Sequence, residues 1–398
     1  MDADVIVVGA GPAGSTAARE IASRGASVLM LDRAAFPRDK PCGGGVTIRT
    51  AKLLPFSIEP VIEDVIHDAR LLFRDGDETT HHDERPLTYM TQRSRLDHLL
   101  AEQAQEAGVE FRDAHPVQAV RRLGDGSFEV DGRGGERYRA RVVIGADGAN
   151  GIVRGNLGYE APIESAVALE GNIYFPPDAN PFRGQLALNF GHMAGGYGWV
   201  FPKGDHVNVG VGGWKDQVGS QLRTRLDELC IRYGLDPADV CQLRGHHLPL
   251  TRPGAIAANG GSAVIGDAAG LVDPLSGEGI HGAVASGVAL APAVDDYLNG
   301  RVDSLVGYQT TIARELVPDI ETSRALMEIF HAVPRPFVWL LQHSDRFWHP
   351  AADLVRGEID YQSIVRRFGP IVAASLGPAS KLARYRTGRA SLPNPLSR

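Results

Sequence analysis

Apolar and polar positions along the chain fall into two periods. Asp4-Val-Ile-Val-Val8 is an unbroken apolar run of strand length, and Val28 to Asp32 is a second. Between them, Ser15 to Arg24 carries small residues at helical spacing. Residues 71–82 read as a hairpin around Asp75-Gly76. Ser94 to Ala107 reads as a helix, with Ser94 as its N-cap, Leu96, Leu99 and Leu100 as its apolar stripe and Gly108 as its stop. Three short strands are expected near 117–122, 127–131 and 136–145. From about 161 to 254 the pattern turns to antiparallel sheet with one helix, roughly Val218 to Tyr233. Strand character returns at Ser262 to Gly266, followed by helices over Gly282 to Tyr297 and Val302 to Val317. Residues 320–398 read as loosely amphipathic helix. The order predicts an α/β protein with three parts. A discontinuous nucleotide domain takes 1–160 and 255–318, and an inserted antiparallel-sheet substrate domain takes 161–254. A helical C-terminal region takes 319–398, and residues 60–88 are candidates to join the inserted sheet.

The first strand runs straight into Gly9-Ala-Gly11-Pro-Ala13-Gly14. A strand, a glycine turn, a helix and a second strand ending in an acid form the unit that seats a dinucleotide pyrophosphate on a helix N-terminus. Gly9 allows the tight turn, Gly11 lets backbone approach phosphate, and Gly14 lets helix pack on strand. Asp32 is placed to accept hydrogen bonds from a ribose, with Arg33 beside it. Two later glycine motifs choose the nucleotide. Gly145-Ala-Asp147-Gly148 and Gly266-Asp267 each put a carboxylate at the end of a strand, where a ribityl chain can be held. Gly277 and Gly279, with Ile280 opening the next helix, let backbone N–H groups face the pyrimidine edge of a reduced flavin.

These motifs resemble the FAD proteins of the p-hydroxybenzoate hydroxylase-like fold. That resemblance implies a Rossmann-like FAD-binding domain, and Arg93-x-x-x-Asp97 fits it with Arg93 near the adenosine or pyrophosphate. Two further stretches, Lys40-Pro-Cys42-Gly43-Gly44-Gly45 and Tyr197-Gly-Trp199-Val-Phe201-Pro-Lys203, resemble the geranylgeranyl reductase family. The family implies saturation of isoprenoid double bonds: the alkene takes a hydride from reduced flavin N5 on one carbon and a proton on the other. It places Cys42, Gly43 and Gly44 beside the flavin. Cys42 then donates or relays the proton or orients substrate, or it is a small buried hydrophobe. Tyr197, Trp199 and Phe201 share one strand face. With Val207, Val209 and Val211 as walls, and with Gly210, Gly212 and Gly213 leaving open space, they are expected to form a slot for a prenyl chain. The electron donor is open between NADPH and a protein such as ferredoxin. The substrate is open among a prenyl lipid, a chlorophyll precursor and a menaquinone. Rival readings are a flavin monooxygenase, a flavin halogenase and a non-catalytic prenyl-binding carrier.

Composition narrows this little further. A net charge of −7 over 398 residues gives no basis for a nucleic-acid partner. Cys42, Cys230 and Cys241 form no CxxC pair, so a reducing, cytoplasmic setting is expected. His81-His82 and His246-His247 lack metal-ligand spacing, and no metal is expected. His281, following the Gly277–Gly279 loop, either assists the chemistry or is a helix-start polar residue, and the second reading is preferred. Phe337-Val-Trp339-Leu-Leu341 and Phe347-Trp348 are expected to cover the slot, to rest on a membrane surface, or to form a plain structural helix pair with a solvated tail. In the membrane case the basic stretch Lys381, Arg384, Arg386, Arg389 and Arg398 would favour anionic lipid.

Overall fold

A computed structural model describes residues 1–159, 163–176, 178–251 and 257–389. The expected boundaries near 160 and 254, and Arg398 of the basic stretch, lie outside the described residues. Two sheets carry the molecule. In the first, strands Val5–Val8, Val28–Leu31, Glu110–Arg112 and Val142–Gly145 run parallel with Ser262–Val264, and Ala258–Asn259 pairs antiparallel at the edge. The helices Pro12–Ala22 and Ile280–Leu298 pack on this sheet and on each other through small residues. Gly287 is one of them: a Cβ there would lie 2.9 Å from the Ala13 carbonyl oxygen.

The second sheet has seven strands. In spatial order they are Cys241–Thr251, Ile163–Tyr174, His206–Trp214, Tyr197–Lys203, Gln185–Phe190, Asp68–Phe73 and Glu78–His82. The hairpin at residues 68–82 therefore belongs to the large sheet, joined by a parallel pairing of Asp68–Phe73 with Gln185–Phe190. Strand alternation sorts the residues into two faces. Val200, Val207, Val209 and Val211 face one way, against Leu226 and Leu229 of helix Leu222–Arg232. The aromatic residues face the other way, toward the first sheet and the C-terminal helices.

Five helices end the described chain: Val317–Ala332, Pro334–His343, Asp345–Arg356, Tyr361–Arg367 and Pro370–Arg386. They cover part of the aromatic face of the large sheet. Trp348 stacks on His81 at 4.3 Å between ring centres, and the Gln342 amide donates to the carbonyls of Leu71 and Asp77 at 2.9 and 3.1 Å. No described helix is long and apolar enough to cross a membrane.

Several elements depart from the pattern reading. The first helix begins at Pro12, not Ser15, because proline at the first helical position has its φ already set and gives up no needed N–H. The third helix begins at Arg93, and Ser94 is not its cap: Arg93 itself turns inward to Asp97 across the first turn. The expected strand 136–145 divides at Arg141 into Arg137–Ala140 and Val142–Gly145, which serve different sheets. The helix expected over 218–233 is two helices, Lys215–Val218 and Leu222–Arg232.

Candidate active site

The glycine turn is fixed from several directions. Gly9 has φ +104° and sits so near the Ala146 carbonyl that a Cβ would lie 2.3 Å from its oxygen. A Cβ on Gly14 would lie 1.8 Å from the Gly9 oxygen, so only glycine lets the helix start here. Ala13 faces Gly266 across the helix pair. Asp32 is buried, and its two oxygens accept from the N–H groups of Ala10 (2.7 Å) and Ala34 (2.9 Å). It thus ties the turn to the end of the second strand. Beside Gly11 stand two guanidinium groups, Arg38 and Arg93. Both are anchored on the fully buried Asp97: Arg93 forms two bonds of 2.8 Å, and Arg38 an ion pair of 2.7 Å. Two positive charges held by one carboxylate leave a net positive cradle at the helix N-terminus.

Asp147 accepts from the N–H groups of Ile152 (2.6 Å) and Val153 (3.0 Å) through one oxygen. Its other oxygen is buried without a hydrogen-bond partner. Burial raises its pKa, against the pull of those N–H groups and of nearby Arg33. An orphaned acceptor of this kind beside the glycine turn fits a hydroxylated ligand supplying the missing donor. Asp267 is paired with Lys40 at 3.1 Å; burial opposes its ionisation, but Lys40, with His246 and Arg93 adding to it, lowers its pKa. Gly279 lies against Asp267, where a Cβ would come within 3.2 Å of the carboxylate oxygen. The loop through Ser276, Gly277 and Gly279 hangs on Asp273, which accepts from the N–H groups of Leu275 and Ser276 and from the Ser323 hydroxyl. Ile280 is buried with Val46, Leu96 and Cys42. His281 bonds Thr50 at 3.1 Å, and burial together with Arg49 pushes its pKa down to about 3, so it is a neutral helix-start residue.

The stretch from Arg38 to Gly44 is stapled to everything around it. Arg38 reaches Asp97, Asp39 pairs with Arg244 of the large sheet at 2.9 Å, and Lys40 holds Asp267. The Cys42 carbonyl accepts from Lys203 Nζ at 3.1 Å, and its sulfur accepts from the Gly44 N–H at 3.3 Å. The Arg93 guanidinium also reaches the Cys42 side chain. Gly44, at φ +72°, gives its carbonyl to the Thr91 N–H and hydroxyl. Gly43 meets the Phe201 ring, which a Cβ would approach to 2.8 Å.

Below this loop lies the aromatic face. Tyr197 to Trp199 and Trp199 to Phe201 are 6.0 and 6.2 Å between ring centres, so all three do share a face. Tyr197 donates its hydroxyl to the Ser276 carbonyl, which fastens the row to the glycine loop. The slot differs from expectation in two ways. The valines are not its walls, because they occupy the other face of the same strand. Nor do the glycines leave open space. The Trp199 indole lies over Gly210, so close that a Cβ there would be 2.1 Å from the ring, and Gly212 touches the same ring edge. Gly213 is filled by the Ala194 carbonyl. The glycines let tryptophan lie flat, and the aromatic row is a packed wall.

Three residues that the sequence reading passed over complete the site. Lys40 is one. The others are Lys203 and Glu170, which lie buried on the aromatic face beneath Cys42. Burial raises the pKa of Glu170, with Lys203, the Cys42 N–H and Asn208 working against the shift. Burial lowers that of Lys203. Only the register of the sheet reveals Glu170: it pairs with Gly210, which pairs with Trp199.

Residues 2–190 match the FAD binding domain family. The geranylgeranyl diphosphate reductase of Rhodobacter capsulatus is 34% identical over 313 residues, covering 75% of this chain and 76% of that protein. The chain belongs to the geranylgeranyl reductase family. As a member of that family it is an FAD-dependent oxidoreductase. The menaquinone reductase of Mycobacterium tuberculosis is 32% identical over 320 residues, 74% of this chain and 76% of that one. A geranylgeranyl bacteriochlorophyll reductase-like protein from Thermoplasma acidophilum superposes with a TM-score of 0.74 at 24% identity, over 95% of this chain and 99% of that chain. A flavin-dependent brominase shares the fold as well, with a TM-score of 0.69 at 20% identity over 89% and 93%.

Proposed function

We propose that the protein saturates carbon–carbon double bonds in a polyprenyl chain. The observation that carries this reading is the junction at Cys42. There the glycine loops that fit FAD, a thiol and one end of the aromatic wall come together within single side-chain contacts. In this reading Gly9, Gly11, Ala13, Gly14, Asp32, Arg33, Arg93, Asp147, Gly266, Asp267, Gly277, Gly279 and Ile280 would hold FAD. When bound and reduced, it supplies the hydride. The chain's own residues do the rest. Tyr197, Trp199 and Phe201 bind the prenyl tail with few polar contacts. One five-carbon unit buried at about 0.8 kcal/mol per carbon contributes roughly 4 kcal/mol before ordering costs. An unactivated alkene is a poor hydride acceptor, so orientation against this wall and exclusion of water carry much of the rate. Cys42 holds the proton for the second carbon at Sγ, with Arg93 and the Gly44 N–H fixing its position.

Incubating dithionite-reduced holoprotein with a panel of prenyl compounds, followed by mass spectrometry, tests the proposal. Products heavier by pairs of hydrogens support it. Oxygen incorporation would instead mark a monooxygenase, halide incorporation a halogenase, and a purified protein free of flavin a carrier. Cys42→Ser should lower turnover far more than flavin content; unchanged turnover and product would remove Cys42 from the chemistry.

A further inference from the structure

The aromatic wall continues outward past Tyr197. Phe190 follows at 5.8 Å between ring centres, then Phe330 at 5.5 Å and Phe337 at 6.1 Å, the last two on the C-terminal helices. Phe73 stands beside Phe190 in register on the neighbouring strand. At that end a cleft of about 470 Å³ opens between the end of strand Asp68–Phe73 and the first turn of helix Pro334–His343, lined by Phe73, Arg74, Pro334 and Arg335. Its walls are apolar, and its lining charges are two guanidinium groups. Among the described residues neither arginine has a carboxylate within ion-pair distance, in a chain whose net charge is −7. The adjacent acid, Asp75, is turned to His192 at 3.4 Å.

Arg74 is built into place. It holds φ +55°, which few non-glycine residues adopt, and its Nε donates to the Gly191 carbonyl at 3.1 Å. A Cβ on Gly191 would lie 2.6 Å from Phe73 and 3.0 Å from Arg74, so glycine makes room for both side chains. The guanidinium carbon sits 5.5 Å from the centre of the Phe73 ring. Those contacts leave the terminal nitrogens directed to no protein acceptor among the described residues. The N-terminal end of helix Pro334–His343 adds positive potential, and Gln342 bolts that helix to the strand opposite.

Resting on the prenyl reading above, we propose that this cleft binds the phosphate or diphosphate head group of a polyprenyl substrate whose tail runs inward along the aromatic row to Cys42. A planar guanidinium pairs a phosphate through two parallel N–H bonds, which gives orientation as well as affinity. The proposal makes an anionic prenyl compound, not a neutral quinone, the preferred ligand.

Calorimetric titration of the FAD-loaded protein with geranylgeranyl diphosphate, geranylgeraniol and a micellar digeranylgeranyl phospholipid is the test, run on wild type, R74A, R335E and the double variant. Wild type is expected to bind at least one phosphorylated ligand tenfold or more tighter than the alcohol, with salt weakening only that ligand. The double variant should lose this preference while its affinity for the alcohol stays put, and the phosphorylated ligand showing the larger loss identifies the head group. Equal binding of alcohol and phosphorylated ligands by wild type, or a preference that survives in the double variant, would overturn the head-group site and leave the reductase reading standing. Binding of no prenyl compound at all would overturn both. R335E removes no packing, so it decides the matter should R74A unfold locally at Gly191.

Discussion

Cys42 is held by Lys203, by Arg93 and by the Gly44 N–H of its own loop, and the buried Lys203 and Glu170 beneath it help to fix that loop. Lys203 and Glu170 are both buried, and the charge of each opposes the shift that burial imposes on the other. Lys203→Met also leaves the Cys42 carbonyl without its donor and is expected to destabilise the protein by about 1 to 3 kcal/mol. Combined with Glu170→Gln it should cost less than the sum of the two single changes. Urea unfolding of the four proteins in a double-mutant cycle measures this; strict additivity would show that the two groups do not interact. Trp199 makes a second claim at this scale. Gly210→Ala places a methyl where the indole lies, and it should expel the ring and cost about 2 kcal/mol or more. Tryptophan fluorescence and thermal midpoint report it, and an unchanged spectrum and midpoint would refute the packing described.

The C-terminal helices act as a cover on the aromatic face, and Trp348 is one of their main anchors. Trp348→Ala should cost about 3 to 5 kcal/mol by cavity formation and loss of the His81 stack. It should also make the chain after about residue 317 more sensitive to protease; unaltered cleavage would argue that the cover is held elsewhere. Element identity was legible wherever a local period was long or a motif had one physical solution. The glycine turn is the clearest case, because the approach of Gly14 to the Gly9 oxygen leaves no other residue possible. Legibility ended where partners were distant. The valines and aromatics of residues 197–211 share adjacent strands, and no local pattern says which face meets a helix and which meets a ligand. In the same way, Asp39 to Arg244 and Cys42 to Glu170 join a loop to strands far away in sequence. The roles of Lys40, Lys203 and Glu170 therefore became visible only in three dimensions.

For the molecule as a whole, burial of neutral histidines sets an acid limit. His246, His281 and His331 have pKa values pushed down to about 4, about 3 and about 4, in each case first by burial. In the unfolded chain the same groups take up protons near about pH 6.5. A base with a depressed folded value contributes stability above its unfolded value and loses it as pH falls. Carboxyls raised by burial, Glu170 and Asp147 among them, work in the opposite direction, so the comparison must be differential. His331→Gln should lose less of its urea midpoint than wild type between about pH 7.5 and about pH 5. Equal losses would mean that His331 is protonated in the fold.

The central claim is that hydride leaves this protein for a prenyl double bond, and an anaerobic single turnover tests it most directly. The holoprotein is reduced with one equivalent of dithionite, mixed with a geranylgeranyl compound, and followed by flavin absorbance. The account predicts return of the oxidised flavin spectrum in step with formation of a dihydro product, and neither change without the lipid. A flavin that stays reduced with every prenyl compound, but reoxidises with oxygen while oxygenating or halogenating a substrate, would contradict it.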